Sequence, residues 1–222
     1  MATQKIGTSI ASTSFNNIPD EIYGSGADGN VTLNSNTTLT RDMYYNNLTI
    51  KDGVHLNTNG YRVFVRNSLA FSNFESQQSF NSIGLKNGSS AVGSISSGGI
   101  GSVTNSLGGA SASYTATLPV PQNYYSLARN AVLGYTLNAS QTTPLVLKGG
   151  AGDNTNYGGG IVIVVARKVS GYGTLYATGY FNGSSYTTGG GVIVFISQSA
   201  RSSSLVTNVS GYSSGTVKEF IV

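Results

Sequence analysis

Residues 45–65 read YNNLTIKDGVHLNTNGYRVFV, and no other stretch restricts the fold so tightly. Leu48 and Ile50 alternate with polar neighbours. Val54 and Leu56 follow Lys51-Asp52-Gly53, and Tyr61, Val63 and Val65 follow Asn59-Gly60. A period of two places one set of side chains on one face of a pleated strand and the rest on the other. The Asp-Gly and Asn-Gly pairs supply the positive φ that two-residue hairpin turns demand. They favour antiparallel hairpins, although the same glycines suit the corners of a solenoid, where the chain bends without reversing.

The pattern extends along the chain. Runs of β-branched and aromatic residues between Gly, Asn and Ser clusters predict strands near 31–33, 37–41, 46–50, 54–58, 61–66, 69–72, 115–119, 144–148, 161–167, 174–178, 192–197, 205–209 and 216–222. Helix signals are nearly absent. NYYSLARNAVLGY (123–135) supports at most one short helix, with Leu127, Ala131 and Val132 before Gly134.

A repeat is visible at an offset of 31, aligning GIVIVVARKVSGYGTLYATGY (160–180) with GVIVFISQSARSSSLVTNVSG (191–211). GYRVFVRNSLAFSN (60–73) shares its plan, and the register is lost between 74 and 160. Solenoids repeat every 20–30 residues or so through the whole chain. The expected fold is therefore all-β in a single domain, 1–222. A jelly-roll-like β-sandwich is favoured, with a short right-handed β-solenoid as the alternative. A Gly/Ser-rich, uncharged segment at about 87–118 is read as packing against another chain or sheet, because Val92, Ile95, Ile100, Val103 and Leu107 recur in it at even spacing.

Composition narrows the function classes. Only 9% of the 222 residues are charged, against the usual quarter, while 39% are hydrophobic, which is a folding composition. The net charge of +4 comes from scattered cations with only Arg167-Lys168 adjacent, not from the basic track that phosphates require, so nucleic acid is not an expected partner. Cysteine is absent, which excludes disulfides and thiolate metal sites. No apolar run approaches the ~20 residues of a membrane helix, and MATQKIGTSIASTS lacks the apolar core of a secretory signal, so the expectation is a soluble chain without membrane insertion.

Little in the sequence can carry chemistry. His55 is the only histidine and is read as solvent-facing or at an interface. No G-x-S-x-G elbow accompanies it. Asp20, Glu21 and Asp28 form the densest carboxylate group, the one place to look for the facing pair of a glycosidase or for calcium ligands, although Asp28-Gly29 is also ordinary turn chemistry. GGAGDNTNYGGG (149–160) lacks the lysine-hydroxyl pair and the following helix of a phosphate-binding loop. Fourteen tyrosines and no tryptophan leave one candidate contact surface, Tyr172, Tyr176, Tyr180 and Tyr186, weighed against plain strand packing. Asn-X-Ser/Thr sequons fall at Asn30, Asn36, Asn47, Asn87, Asn138, Asn182 and Asn208.

Two stretches carry a resemblance. YGSGADGNVTLNSNTTLTRDMYYNNLTIKDGVHLNTNGYRVFVRNSLAFSN (23–73) resembles the opening of a family of glycine-rich viral proteins, notably phage tail-fibre and spike components. GGAGDNTNYGGGIVIVVARKVSGYGTLYATGYFNGSSYTTGGGVIVFISQSA (149–200) is similar to their closing segment. Together they cover a little under half of the chain, which carries fewer glycines than that family. The resemblance implies a virion structural protein, a vertex, spike or fibre subunit located in the virion. It would act through assembly contacts and host attachment, not catalysis, with no cofactor and no transferable site residue. The implied partners are copies of itself around a three- or five-fold axis, other virion proteins and a host surface glycan. The competing expectations are a carbohydrate-binding module of a surface protein and a tail-associated polysaccharide depolymerase using Asp20 or Asp28.

Overall fold

A computed structural model describes residues 22–59, 61–72, 84–86, 108–114, 149–153, 156–200 and 204–222. Its strands are β1 (Asn30–Leu33), β2 (Thr37–Thr38), β3 (Met43–Lys51), β4 (His55–Asn57), β5 (Arg62–Ser72), β6 (Gly84–Lys86), β7 (Ile161–Gly171), β8 (Gly173–Tyr176), β9 (Val192–Ser197), β10 (Leu205–Asn208) and β11 (Thr216–Ile221). The odd strands form a six-stranded sheet in the order β1-β3-β5-β7-β9-β11, and the even ones a five-stranded sheet in the order β10-β8-β6-β4-β2. Among the described strands the chain thus changes sheet at every step and advances one strand in each sheet per circuit. The fold is all-β, as expected.

Every ladder between the described strands is parallel. The hairpins favoured at Asp52-Gly53 and Asn59-Gly60 do not form. Gly53 (φ 71°) and Asn59 (φ 50°) do adopt the left-handed conformation, and Val54 N–H donates to Lys51 O at 3.1 Å, but the bend delivers the chain to the opposite sheet. A jelly-roll-like sandwich is built from antiparallel ladders, so the observed pairing departs from the favoured reading.

Inward-facing side chains stack in columns between the sheets. Val162, Ile193 and Val217 are successive rungs of one column, and Leu48 and Leu69 of another. Leu56, Leu175 and Leu205 close this core from the five-stranded sheet. Burying each such aliphatic contributes roughly 1.5–3 kcal/mol. The long strands β3, β5 and β7 do not keep strict alternation. β5 carries an extra residue between Val65 and Ser68 relative to its neighbours, and β3 shifts between Tyr45 and Asn47. At this bulge the amides form a ladder: Asn67 Nδ2 donates to Asn46 Oδ1 (2.8 Å), and Asn46 and Asn47 Nδ2 both donate to Asn30 Oδ1 (2.9 and 2.7 Å).

The outer face of the six-stranded sheet is apolar as well. Tyr44, Phe64, Val165, Ile196 and Phe220 make a five-rung outer column, with the Tyr44 and Phe64 rings stacked at 4.9 Å. Residues 22–29 cross this face like a strap. Tyr23 is fully buried, its ring lies under Arg167 at 5.4 Å, and its hydroxyl donates to Val222 O at 3.3 Å. Gly24 (φ 84°) then lies against Phe64 and Tyr44, where a Cβ would stand 2.8 Å from Phe64 Cβ. Asp28 receives the Tyr44 N–H at 2.7 Å before β1 begins. The strap ties the first strand to the last.

The predicted strands at 115–119 and 144–148, the short helix at 123–135, and Asp20 and Glu21 lie outside the described residues.

Candidate functional site

The connections from even to odd strands place the site. Residues 87–160 join β6 to β7, 177–191 join β8 to β9, and 209–215 join β10 to β11. Their glycine-rich parts converge and hydrogen-bond through the backbone alone. Gly189 N–H donates to Ala151 O, and Gly159 N–H to Gly189 O, both at 2.8 Å. Gly190 donates to Ser213 O (2.9 Å) and accepts from Gly109 (2.7 Å), while Gly191 donates to Ala177 O (2.6 Å) and accepts from Thr216 (3.0 Å). Three consecutive residues therefore address three different directions. A β-strand alternates between two neighbours, whereas three directions per three residues is the period of a polyproline-II-type chain. Its closest contacts require glycine: a Cβ on Gly189 would stand 1.8 Å from Gly109 O.

From this backbone-packed bundle projects a tip of aromatic loops, anchored on Thr188. That side chain is fully buried; its hydroxyl accepts the Tyr180 N–H at 2.6 Å and donates to Tyr157 O at 3.1 Å, while its carbonyl accepts the Tyr212 N–H at 2.9 Å. Three tyrosines far apart in sequence are thus drawn to one threonine, and all three stay in solvent, at 39% (Tyr157), 47% (Tyr180) and 60% (Tyr212) exposure. Between Tyr180 and Thr188 the loop closes with an isolated antiparallel bridge, Phe181 to Tyr186, their rings 5.1 Å apart and tilted by 58°. Asn182 Oδ1 fixes its turn by accepting from Ser184 and Ser185 N–H at 3.0 Å. Asp153 docks the neighbouring loop: Oδ2 accepts from Thr187 Oγ1 (2.9 Å) and Oδ1 from Asn156 N–H (2.6 Å).

The four tyrosines singled out from sequence are divided by this geometry. Tyr180 and Tyr186 belong to the tip. Tyr172 is exposed at the β7–β8 corner, at the opposite end of β8. Tyr176 lies within β8, and burial of its hydroxyl pushes that phenol above the ordinary value. Tyr157, Tyr212 and Thr188 were not singled out. The recurring Gly-Gly pairs at 149–150, 158–160 and 189–191 are the signal that relates them.

Asp28 does not face another carboxylate among the described residues. Its two oxygens hold Arg41 at 2.6 and 3.1 Å, and the Arg41 hydrogen bond holds its carboxyl below the usual range. Asp42 likewise takes the Arg62 backbone N–H at 2.8 Å, its Nε at 2.9 Å and its terminal nitrogen. Both aspartates stitch one circuit to another. His55 is half-buried on β4, and its N–H donates to Asn36 Oδ1 at 2.8 Å. Among the described residues no three His, Cys, Asp or Glu side chains gather as metal ligands would. No family model, no curated protein and no solved structure matches the chain.

Proposed function

We propose that this chain is a virion surface subunit (vertex, spike or fibre) built as a short β-solenoid and working through contact, not catalysis. The solenoid reading rests on the strict sheet-to-sheet alternation of parallel strands, and the right-handed rule for parallel crossovers gives its hand. The observation that carries the functional reading is the tip: exposed aromatic residues pinned by their backbones to the buried Thr188, on a glycine-rich bundle held by backbone hydrogen bonds. Rigid aromatics lose little entropy on binding, which suits a surface meant to be touched. The resemblance of residues 23–73 and 149–200 to glycine-rich fibre and spike proteins supports the virion setting, and self-association around a three- or five-fold axis follows from it.

Two measurements test this reading. Native mass spectrometry of the purified chain is expected to give a trimer or a pentamer, and labelling of purified particles is expected to find it at vertices or fibres. A monomer absent from particles would transfer the chain to the second reading, a carbohydrate-binding module of a surface protein, which the exposed tyrosines also favour. The depolymerase reading predicts polysaccharide cleavage that Asp20→Asn or Asp28→Asn abolishes, and the engagement of Asp28 with Arg41 and Tyr44 argues against a role for Asp28 in it.

A further inference from the structure

We infer that the Thr188-centred tip is a binding site for an uncharged saccharide, with Tyr157, Tyr180, Phe181 and Tyr212 as its contact residues. This rests on reading the tip as the recognition surface. The argument is one of chemistry. Within 177–191 and 209–215 there is no charged residue at all, and in the 149–160 stretch Asp153 is the only one, its carboxylate already taken by Asn156 and Thr187. Among the described residues the tip therefore offers neither a cation for phosphate, sulfate or sialic acid nor an open anion for a basic peptide.

Nor does the tip resemble the core of a protein–protein interface, where aliphatic, Met and Arg side chains join the aromatics. Among the described residues the exposed aliphatics, Ile221 and Val222, lie at the end of β11, whereas the tip exposes only aromatic rings. These are interspersed with exposed Asn182, Ser184 and Ser185. A pyranose presents the complementary pattern, a C–H face that stacks on a ring and a rim of hydroxyls for phenols, amides and serines.

The test is a glycan array probed with the full chain, carrying neutral mannose-, glucose- and galactose-containing oligosaccharides beside sialylated and sulfated ones. The strongest neutral hit is then followed by calorimetry. Neutral glycans are expected to bind, with affinity insensitive to salt between about 50 and 500 mM. Tyr180→Ala, Phe181→Ala and Tyr212→Ala should each weaken binding about tenfold, with melting temperatures that show the fold intact. Tyr172→Ala, at the far end of β8, should leave it unchanged. Binding confined to anionic glycans, binding indifferent to all three tip substitutions, or no neutral hit on the array each overturns the saccharide assignment. Particle adsorption to host cells separates this outcome from the reading beneath it. If the tip variants abolish adsorption while no neutral glycan binds, the recognition surface stands and its ligand is a different one. If adsorption is untouched as well, both fall.

Discussion

Substituting Gly189 by Ala tests the backbone-packed bundle most directly. Gly189 does not occupy the left-handed region, so alanine there meets no conformational objection, and all the damage must come from lost space. Its Cβ would lie 1.8 Å from Gly109 O, where real Cβ contacts stay beyond 3.0 Å, so the two segments must separate by over an ångström. Three hydrogen bonds hold the two segments together: Gly109 to Gly190 directly, and through Ala151 the pair Ala151 to Gly109 and Gly189 to Ala151. Each is worth about 1 kcal/mol net, so their loss costs about 3 kcal/mol. For a chain of this size that lowers the melting temperature by about 6–12 °C, read by circular dichroism. Gly53 supplies the contrast. It has φ 71° with nothing within 4 Å, so Gly53→Ala costs only the left-handed strain, about 1–2 kcal/mol. Asparagine tolerates that conformation, so Gly53→Asn should recover most of the loss, whereas Gly189→Asn should be no better than Gly189→Ala. A Gly189→Ala protein melting within about 2 °C of the parent would refute close backbone packing as the basis of the bundle.

Thr188→Val removes the hydroxyl serving both Tyr180 N–H and Tyr157 O and should cost about 2–4 kcal/mol in urea unfolding, with Thr188→Ser nearly neutral. Asp42→Ala removes the acceptor of three Arg62 donors and should cost about 2–3 kcal/mol, measured in the same way. Burial raises the phenols of Tyr23, Tyr45 and Tyr176 above the unfolded value near 10, so the folded state holds their protons more tightly. Their contribution is complete below that value and is lost as pH rises through the folded one, because the unfolded chain ionises first. Urea midpoints should therefore hold steady up to about pH 9 and fall above pH 10, and Tyr23→Phe should flatten the fall. A midpoint that rises above pH 10 would contradict this.

Where apolar β-branched and aromatic runs are bounded by glycine or polar clusters, the strands were legible in the sequence. Residues 192–197 appear as β9 with the expected bounds, and the offset of 31 reappears as the β7–β9 register, Ile161 opposite Val192. Expectation split β5 into 61–66 and 69–72, leaving out the polar Asn67 and Ser68. The strand continues through that point as a bulge, which preserves pairing at the expense of periodicity. β6 is three residues, Gly-Leu-Lys, too short for any period to register. Pairing direction was not legible, because Asp-Gly and Asn-Gly permit both reversal and cornering, and the choice lies with distant strands. The nearness of Tyr180 and Tyr186 was legible because they share a loop. Tyr157 and Tyr212 join them through bonds between Thr188 and their own backbones, which leave no signature in the tyrosine spacing.

The repeat that fades between residues 74 and 160 has a geometric origin. β5 and β7 are adjacent, in register from Arg62 opposite Ile163 to Phe71 opposite Gly171, although the circuit joining them contains the whole of 87–160. Elsewhere a circuit is short: β1 lies 17 residues from its partner on β3 (Asn30 opposite Asn47). Lengthening a connection costs only about 0.6 kcal/mol per doubling. The β5–β7 ladder therefore stays in register however long the connection between its strands. Such a chain can exchange its outermost segments wholesale and keep the same spine.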